Sequence, residues 1–436
     1  MRALIATAVF LGLTGPVIAH ASTNHADPIT PVVLALAVIL ATAKLGGDLA
    51  TRLGQPAVLG ELVVGIVLGN LPLFGIGWVE GFEGDPAVDM LARLGVVILL
   101  FEIGLESTVR DMMRVGVPSL MVAVLGVVTP FALGWGVGAW LLPDKSTYVH
   151  VFLGATLTAT SVGITARVLQ DLGRSQAREA RVILGAAVID DVLGLVVLAV
   201  VSALIVAADR GVEMSYGAVA WLTVKALGFL AVALALGVRV SPKLFGLAFR
   251  LRGRGVLLAA SLVFCFLLAY LAAAVGLAPI VGAYAAGLIL EDVHTRDFVA
   301  RGEVQLEDLV RPSSQFLVPV FFVLMGMRVE LLAFARLDVI GLAAALTAAA
   351  IIGKQACALG VLRTGIDGLS VGLGMIPRGE VGLIFASVGA ALTLGGQRVV
   401  DEGIFSAVVI MVVVTTLVTP PALKWSLARK AVPPGA

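Results

Sequence analysis

The chain carries little charge for its size. Only 14% of its 436 residues are Asp, Glu, Lys or Arg, whereas 59% are hydrophobic, and the net charge is +1. No basic surface for nucleic acid is therefore indicated. Its two cysteines, Cys265 and Cys357, lie in separate apolar segments, which predicts buried thiols without a redox or metal role. The four histidines are scattered and form no ligand cluster, so neither a resident metal nor a cofactor is expected.

Long apolar segments recur from Pro31 to Leu423. No soluble fold exposes that much apolar surface, so the pattern indicates an all-α polytopic membrane protein. Hydropathy predicts about thirteen transmembrane helices. Their predicted limits are 31–50, 57–76, 90–106, 115–142, 149–169, 182–208, 217–238, 255–273, 279–290, 313–327, 338–361, 369–391 and 404–423.

Basic residues are concentrated in the loops on one side of this arrangement. The positive-inside rule then places the N-terminus outside and the C-terminus in the cytoplasm. Residues 1–21 combine Arg2, an apolar run and the small-x-small sequence Ala19-His20-Ala21, which predicts a cleaved signal peptide. An uncleaved extra helix is the alternative.

Two adjacent carboxylates interrupt the apolar stretch between Arg181 and Asp209. Asp190 and Asp191 are the only charged residues in that stretch. A carboxylate at the bilayer centre is costly unless water, a counter-ion or a proton meets it, and each carboxylate disfavours ionisation of the other. The pair therefore suits a site that trades protons for a small cation, and a passive structural pair is the alternative.

Lys354 is a third charge deep within a predicted span. At helical rise it lies ~13 Å from the inner end of that span. A buried ammonium group favours a carboxylate partner, and the aspartate pair is the obvious candidate. Snorkelling of the long side chain, or a purely structural bridge, is the alternative.

Hydroxyl groups and a glycine crowd the middle of span 149–169. They belong to Thr158, Thr160, Ser161 and Gly163. Such a run can leave the helix and offer carbonyls and hydroxyls to a desolvated cation. Hydroxyls bonded back to the preceding turn of a continuous helix are the alternative.

Span 369–391 also contains a helix-breaking segment. Pro377 removes a donor from the helical ladder, and Arg378 and Glu380 follow it between glycines. We expect a second broken helix, with the two charged residues bracing the break or coupling it to the site. The two breaks fall in the middle helices of the groups 115–208 and 338–423, whose predicted directions are opposite. This pattern is typical of inverted repeats whose broken helices cross at the membrane midplane.

Three further features give weaker signals. Glu61, Glu102 and Glu106 are interpreted as interfacial or packing residues. The motif Gly65-x-x-x-Gly69 permits close helix contact, and its partner could belong to another protomer. The acidic loop after the second span, which includes Asp89, is interpreted as solvated, although it could attract cations.

Four segments together resemble a known family. They are TATSVGITARVL, GAAVIDDVLGLVVLA, the lysine of the eleventh span and IPRGEVGLIFA. These resemble bacterial sodium/proton antiporters of the monovalent cation:proton antiporter-2 family, of the NapA type. The resemblance implies that Asp191 is the main cation and proton carboxylate. It also implies that Asp190 pairs with Lys354 and that Thr160 lies at a helix break.

The resemblance also implies a homodimer in the bacterial inner membrane, with a core domain that moves as an elevator. The expected dimerisation domain comprises residues 22–114 and the part of 209–337 that follows a linker helix. The expected core comprises 115–208 and 338–427, followed by a cytoplasmic tail at 428–436.

The expected function is exchange of sodium or lithium for protons, electrogenic and by alternating access, with a role in pH homeostasis. The partners are then sodium, protons and membrane lipid. Potassium/proton exchange and sodium-coupled solute symport are the alternatives. A channel would lack obligatory proton coupling. An aspartic protease of the membrane is disfavoured, because Asp190 and Asp191 are neighbours on one helix and cannot face each other.

Overall fold

A computed structural model of the chain describes most of its residues. They are 29–106, 116–171, 174, 177–211, 216–251, 253, 255–290, 305–329, 331–332 and 336–429. The predicted signal peptide, 1–21, and residues 430–436 of the predicted tail lie outside this described part.

The described residues are mostly helical. The regular elements are α1 (Ile29–Arg52), α2 (Ala57–Gly69), α3 (Glu80–Glu83), α4 (Pro86–Glu106), α5 (Val117–Leu141), α6 (Thr147–Thr156), α7 (Val162–Asp171), α8 (Arg178–Asp209), α9 (Tyr216–Ala248), α10 (Val256–Ala274), α11 (Pro279–Ile289), α12 (Leu306–Met327), α13 (Leu337–Gln355), α14 (Gly368–Gly374), α15 (Gly379–Ala391), the antiparallel pair β1 (Thr393–Leu394) and β2 (Gln397–Arg398), and α16 (Glu402–Arg429). Short 3-10 segments cover Leu71–Phe74, Gly77–Val79 and Ala356–Val361.

Many of these helices can cross a membrane. Among the described residues, eight are long and apolar enough, and the pair α14–α15, bent by 49°, adds a ninth span. Helices α2 and α11 are apolar but shorter. The prediction of an all-α, multi-pass membrane protein is therefore confirmed, while the number thirteen stays a prediction.

Several predicted spans have different limits in the structure, and local residues explain two of these differences. The second span was expected over 57–76, but α2 ends at Gly69 and a 3-10 turn follows. Pro72 has no N–H to continue the ladder, and Gly75 takes a left-handed conformation with φ of 81°. The span predicted at 313–327 begins earlier, at Leu306. Glu307 and Asp308 occupy its first turn, where carboxylates suit the positive end of the helix dipole.

The chain divides into two compact units. One comprises the described residues up to Gly95 together with Phe316–Leu331. The other comprises the described residues of Val96–Gln315 and those from Leu332 onward. The predicted division into dimerisation and core domains is a functional one and stays a prediction.

The Gly65-x-x-x-Gly69 motif lies in the first unit and packs within the chain. A methyl group placed on Gly65 would lie 2.3 Å from the carbonyl oxygen of Val323, and one on Gly69 would lie 2.2 Å from that of Met327. Only glycine allows α2 to approach the C-terminal part of α12 this closely. The motif therefore serves an intramolecular helix contact, and the idea of a partner in another protomer was wrong.

The predicted acidic loop is partly ordered by ion pairs. Asp89 lies in the first turn of α4, 2.6 Å from Arg93 Nε and 2.7 Å from the guanidinium of Arg328. Asp89 therefore has a structural role that the interpretation of the loop as solvated did not include, while Glu83 in the same loop is exposed. Of the embedded acids, Glu61 is buried in α2 and Glu102 is half-buried in α4.

The second unit contains the predicted site residues. In it α5 packs against α6, α8 and α13, and α16 packs against α13, α14 and α15. This arrangement brings the middle of α8 close to the C-terminal end of α13. Asp190 and Lys354 lie at those two positions.

The side chain of Asn70 connects two segments of the first unit, so a substitution at this residue tests the packing of that unit. Its side-chain amide donates to the carbonyls of Ile66 and Val329, at 2.8 and 2.7 Å, and accepts from the N–H of Leu331 at 2.9 Å. We expect Asn70→Ala to lower the free energy of unfolding by about 1–3 kcal/mol, because buried backbone groups lose their partners. Thr51→Ala is the control, since the Thr51 hydroxyl donates to the carbonyl of Gly47 in its own helix. Thermal melts in detergent that coincide for both variants would contradict this.

Candidate cation site

The two predicted breaks exist, and they contact each other. One separates α6 from α7 at residues 157–161, and the other separates α14 from α15 at 375–378. The N–H of Ser161 donates to the carbonyl of Pro377 at 2.7 Å, and the hydroxyl of Thr165 donates to the carbonyl of Gly374 at 2.6 Å. The prediction of two broken helices that meet is therefore confirmed.

Local chemistry explains why each helix stops. The Thr158 hydroxyl bonds back to the carbonyl of Ala155 at 2.7 Å, which competes with a continuing ladder. On the other side Pro377 has no N–H, and Gly379 restarts the helix with φ of +45°. A methyl group on Gly379 would lie 2.6 Å from Cβ of Ser161, so this close crossing requires glycine.

Lys354 and Asp190 form a fully buried ion pair. The ammonium nitrogen lies 3.2 and 3.3 Å from the two carboxylate oxygens, and both side chains are 0% exposed. The same ammonium donates to the carbonyl of Thr158 at 3.0 Å, inside the first break. Lys354 does not snorkel. It joins α13, α8 and the α6–α7 break at one point.

Asp191 has a different environment from its neighbour. It is partly exposed, and among the described residues no side chain donates a hydrogen bond to it. Three charged side chains act on it electrostatically, namely Asp190 and Glu380, which are negative, and Lys354, which is positive. The site thus contains one carboxylate with a fixed counter-ion and one whose oxygens are free for another ligand.

Arg378 and Glu380 do not pair with each other, although they are close in sequence. Arg378 is fully buried and donates to the carbonyls of Ala159 and Ala350, the second at 3.3 Å. Glu380 accepts a hydrogen bond from the Ser161 hydroxyl, 3.0 Å from each carboxylate oxygen. Each charged residue therefore braces the crossing by contacting the opposite break.

The remaining predicted residues lie at or beside the first break. Thr160 Oγ1 is 3.5 Å from the carbonyl oxygen of Met375, a long contact with the second break. Gly163 lies in the first turn of α7. The alternative, hydroxyls bonded to the preceding turn, is correct for the side chain of Thr158. The backbone carbonyl of Thr158 nonetheless accepts a hydrogen bond from Lys354.

Sequence reasoning missed two residues near this site. Thr165 fixes the crossing through Gly374, and its position one helical turn after Ser161 is a usable signal. Cys357 is buried as predicted, and its thiol donates to the carbonyl of Val122 at 3.3 Å. It lies three residues after Lys354 in a helical segment, so it faces the same side as the lysine. Neither the small number of cysteines nor the apolar segment around Cys357 had indicated that it lies beside Lys354.

The chain is similar to known proteins over most of its length. The family model described as "Sodium/hydrogen exchanger, transmembrane" matches residues 36–429. The chain belongs to the sodium/hydrogen exchanger family. Membership in an exchanger family also confirms the prediction of a transporter rather than an enzyme.

Several members of the sodium/hydrogen exchanger family are similar over nearly the whole chain. The chain is 38% identical to the high-affinity Na⁺/H⁺ antiporter NhaS3 of Synechocystis sp., covering 94% of this chain and 93% of that protein. It is 36% identical to the Na⁺/H⁺-K⁺ antiporter GerN of Bacillus cereus, covering 91% and 96%. The fold is similar to the sodium proton antiporter MjNhaP1 of Methanocaldococcus jannaschii, with a TM-score of 0.66 at 17% identity over 92% of this chain and 99% of that chain.

The buried ion pair predicts a specific pattern of stability. Lys354→Gln should lower the free energy of unfolding by about 3–5 kcal/mol, because Asp190 then stays buried without a counter-ion. The double variant Asp190→Asn with Lys354→Gln should recover most of that loss, since neither charge remains. Melting in detergent measures both.

The exposed ion pair Lys145–Asp401 serves as the control for this measurement. Its side chains are 42% exposed and 2.9 Å apart, so Lys145→Gln should cost at most about 1 kcal/mol. A double variant at Asp190 and Lys354 that melts no higher than Lys354→Gln would contradict the role given to the buried pair.

Proposed function

We propose that the protein is a secondary active antiporter that exchanges sodium, or lithium, for protons. Asp191 carries the transported cation or proton, and Asp190 with Lys354 forms the charge pair beside it. The single observation that supports this most is the contrast between the two aspartates. One is sealed in an ion pair, while its sequence neighbour is partly exposed and forms no ion pair with any described residue.

Competition for Asp191 provides the coupling. A carboxylate that has a bound proton has lost the negative charge that attracts a cation, and a bound cation in turn repels the proton. High proton concentration on one side therefore releases the cation there. Low proton concentration on the other side leaves the carboxylate free to bind one. Exposing Asp191 to each side in turn converts this competition into exchange.

The helix crossing supplies the remaining ligands. Sodium binds oxygen atoms, and unwound backbone next to half-helix ends is where transporters provide them. Thr160 and the backbone of residues 157–161 lie at this break. Arg378 and Glu380 hold the two breaks together, so they position these oxygens without needing to touch the cation.

Lys354 provides a second proton for the cycle. If it releases a proton when Asp190 helps to hold the cation, two protons move for each sodium. Such exchange carries net charge, and the membrane potential can drive it. Electrogenic transport is therefore part of the proposal, as is alternating access in which the core domain moves against a dimerisation domain.

The cellular setting follows from the same assignment. We place the protein in the bacterial inner membrane as a homodimer, with the N-terminus outside and the C-terminus in the cytoplasm. Pumping sodium out and protons in would then serve pH homeostasis. Potassium is the alternative cation, since the name of the GerN relative includes both sodium and potassium.

Asp191→Asn should abolish exchange, because an amide cannot alternate between a proton and a cation. The measurement is the pH change inside proteoliposomes, followed with a dye, as each alkali cation is added in turn. Asp209→Asn is the matched control, since Asp209 is an exposed residue on the same helix. Sodium-dependent pH change that persists in Asp191→Asn would refute the assignment, and a response to potassium as large as that to sodium would favour the alternative cation.

A sodium concentration jump should produce an electrical current in the unaltered protein. Proteoliposomes adsorbed to a solid-supported membrane report this current directly, and Asp191→Asn should give none. The current should grow with sodium concentration and saturate, as expected for a carrier with one cation site. Sodium-dependent pH change without any current would show that one proton is exchanged per cation and that Lys354 keeps its proton.

A further inference from the structure

A glycine on α5 faces the ion pair where a side chain would be expected. A methyl carbon placed on Gly126 would lie 3.1 Å from Cys357 Sγ, 3.2 Å from Lys354 Nζ and 3.6 Å from Asp190 Oδ1. The first two distances are shorter than the ~3.5–4.0 Å at which non-bonded heavy atoms pack best. The space beside Gly126, bounded by these three side chains, is called the Gly126 niche below.

Close packing alone does not explain this glycine. Elsewhere on the same interface, a methyl group on Gly353 would lie 2.9 Å from Cα of Pro130, and one on Gly360 would lie 2.8 Å from the backbone nitrogen of Val122. Those two glycines face backbone and let the segments approach each other. At Gly126 the nearest atoms are instead the polar ends of three side chains, which can move.

Two hydrogen-bond acceptors hold the Lys354 ammonium in this niche. An ammonium group has three N–H donors, and the carboxylate of Asp190 and the carbonyl of Thr158 are its hydrogen-bond acceptors. The backbone near the niche is also unusual. Pro130 has no N–H, so the Gly126 carbonyl lacks the donor that residue i+4 supplies in an uninterrupted helix.

We propose that Gly126 is a positioning residue for transport. Its missing side chain keeps open the niche in which the Lys354 ammonium meets Asp190, and a side chain there displaces the ammonium. This inference rests on the proposed antiport function. Gly126 touches neither cation nor proton, and it acts through the distance between Lys354 and Asp190.

The expected consequence is a changed pH profile. Besides Asp190, the charged group that acts on Lys354 is Arg378, with the Cys357 thiol beside it, and the charged groups that act on Asp191 are Asp190, Glu380 and Lys354. Moving the ammonium away leaves more uncompensated negative charge in the site, so protons compete with sodium there more strongly. Gly126→Ala should therefore shift the pH of half-maximal sodium/proton exchange upward by at least about 0.5 unit.

The matched control is Gly136→Ala on the same helix. A methyl group at Gly136 meets no atom within 4 Å, so the substitution is chemically identical but reaches no ion pair. Gly136→Ala should keep the pH profile of the unaltered protein. Cys357→Ala in the Gly126→Ala background should return the profile toward that of the unaltered protein, because removing the sulfur gives the ammonium room to return to Asp190.

The experiment measures exchange in proteoliposomes across a pH series at fixed sodium, for each variant in turn. A Gly126→Ala profile that coincides with that of Gly136→Ala overturns the inference, and so does a lower maximal rate at an unshifted pH. If Gly126→Ala does not fold, Cys357→Val crowds the niche from the opposite side and should produce the same shift, and its absence likewise overturns the inference. Absence of exchange in the unaltered protein would instead refute the proposed function.

Discussion

A lysine and an aspartate held away from water impose the main constraint on this structure. Neither side chain of the Lys354–Asp190 pair is exposed, and such a pair persists only with good geometry and further hydrogen bonds. One of these bonds comes from the carbonyl of Thr158. That carbonyl is available because α6 has already ended and the ladder no longer uses it. The buried ion pair therefore requires the broken helix, just as a bound cation would.

A broken helix inside a membrane leaves backbone N–H and C=O groups without partners, since lipid offers them none. Here each break is the partner of the other. The N–H of Ser161 reaches the carbonyl of Pro377, and Arg378 reaches back to the carbonyl of Ala159. Neither break would be satisfied alone, so the two must form together. Arg378 is buried for this reason: a long side chain with several donors spans the gap that two interrupted ladders leave.

The sequence sufficed for features whose cause is local. Depth in an apolar segment identified Asp190, Asp191 and Lys354, and the missing N–H of Pro377 identified a break. It did not suffice to predict which residues form hydrogen bonds with each other, because these contacts depend on how distant segments cross. Arg378 and Glu380 are two residues apart, yet their partners Ala159 and Ser161 are each 219 residues away. The intramolecular use of the Gly65–Gly69 motif was missed for the same reason. The early end of α2 has a local cause, Pro72 and Gly75, which hydropathy alone does not detect.

Adjacency of the two aspartates is what separates their roles. Successive residues on a helix point about 100° apart, so Asp190 turns to Lys354 while Asp191 cannot. Four residues of spacing would have put both on the same face, where one lysine could serve both. With all groups ionised, the cluster contains three negative side chains, Asp190, Asp191 and Glu380, and two positive ones, Lys354 and Arg378. While Lys354 keeps its proton, one monovalent cation or one proton restores neutrality in the low-dielectric interior, and taking up both would leave it positive. The competition on which antiport depends therefore follows from the charge count of the site as well as from the chemistry of a single carboxylate.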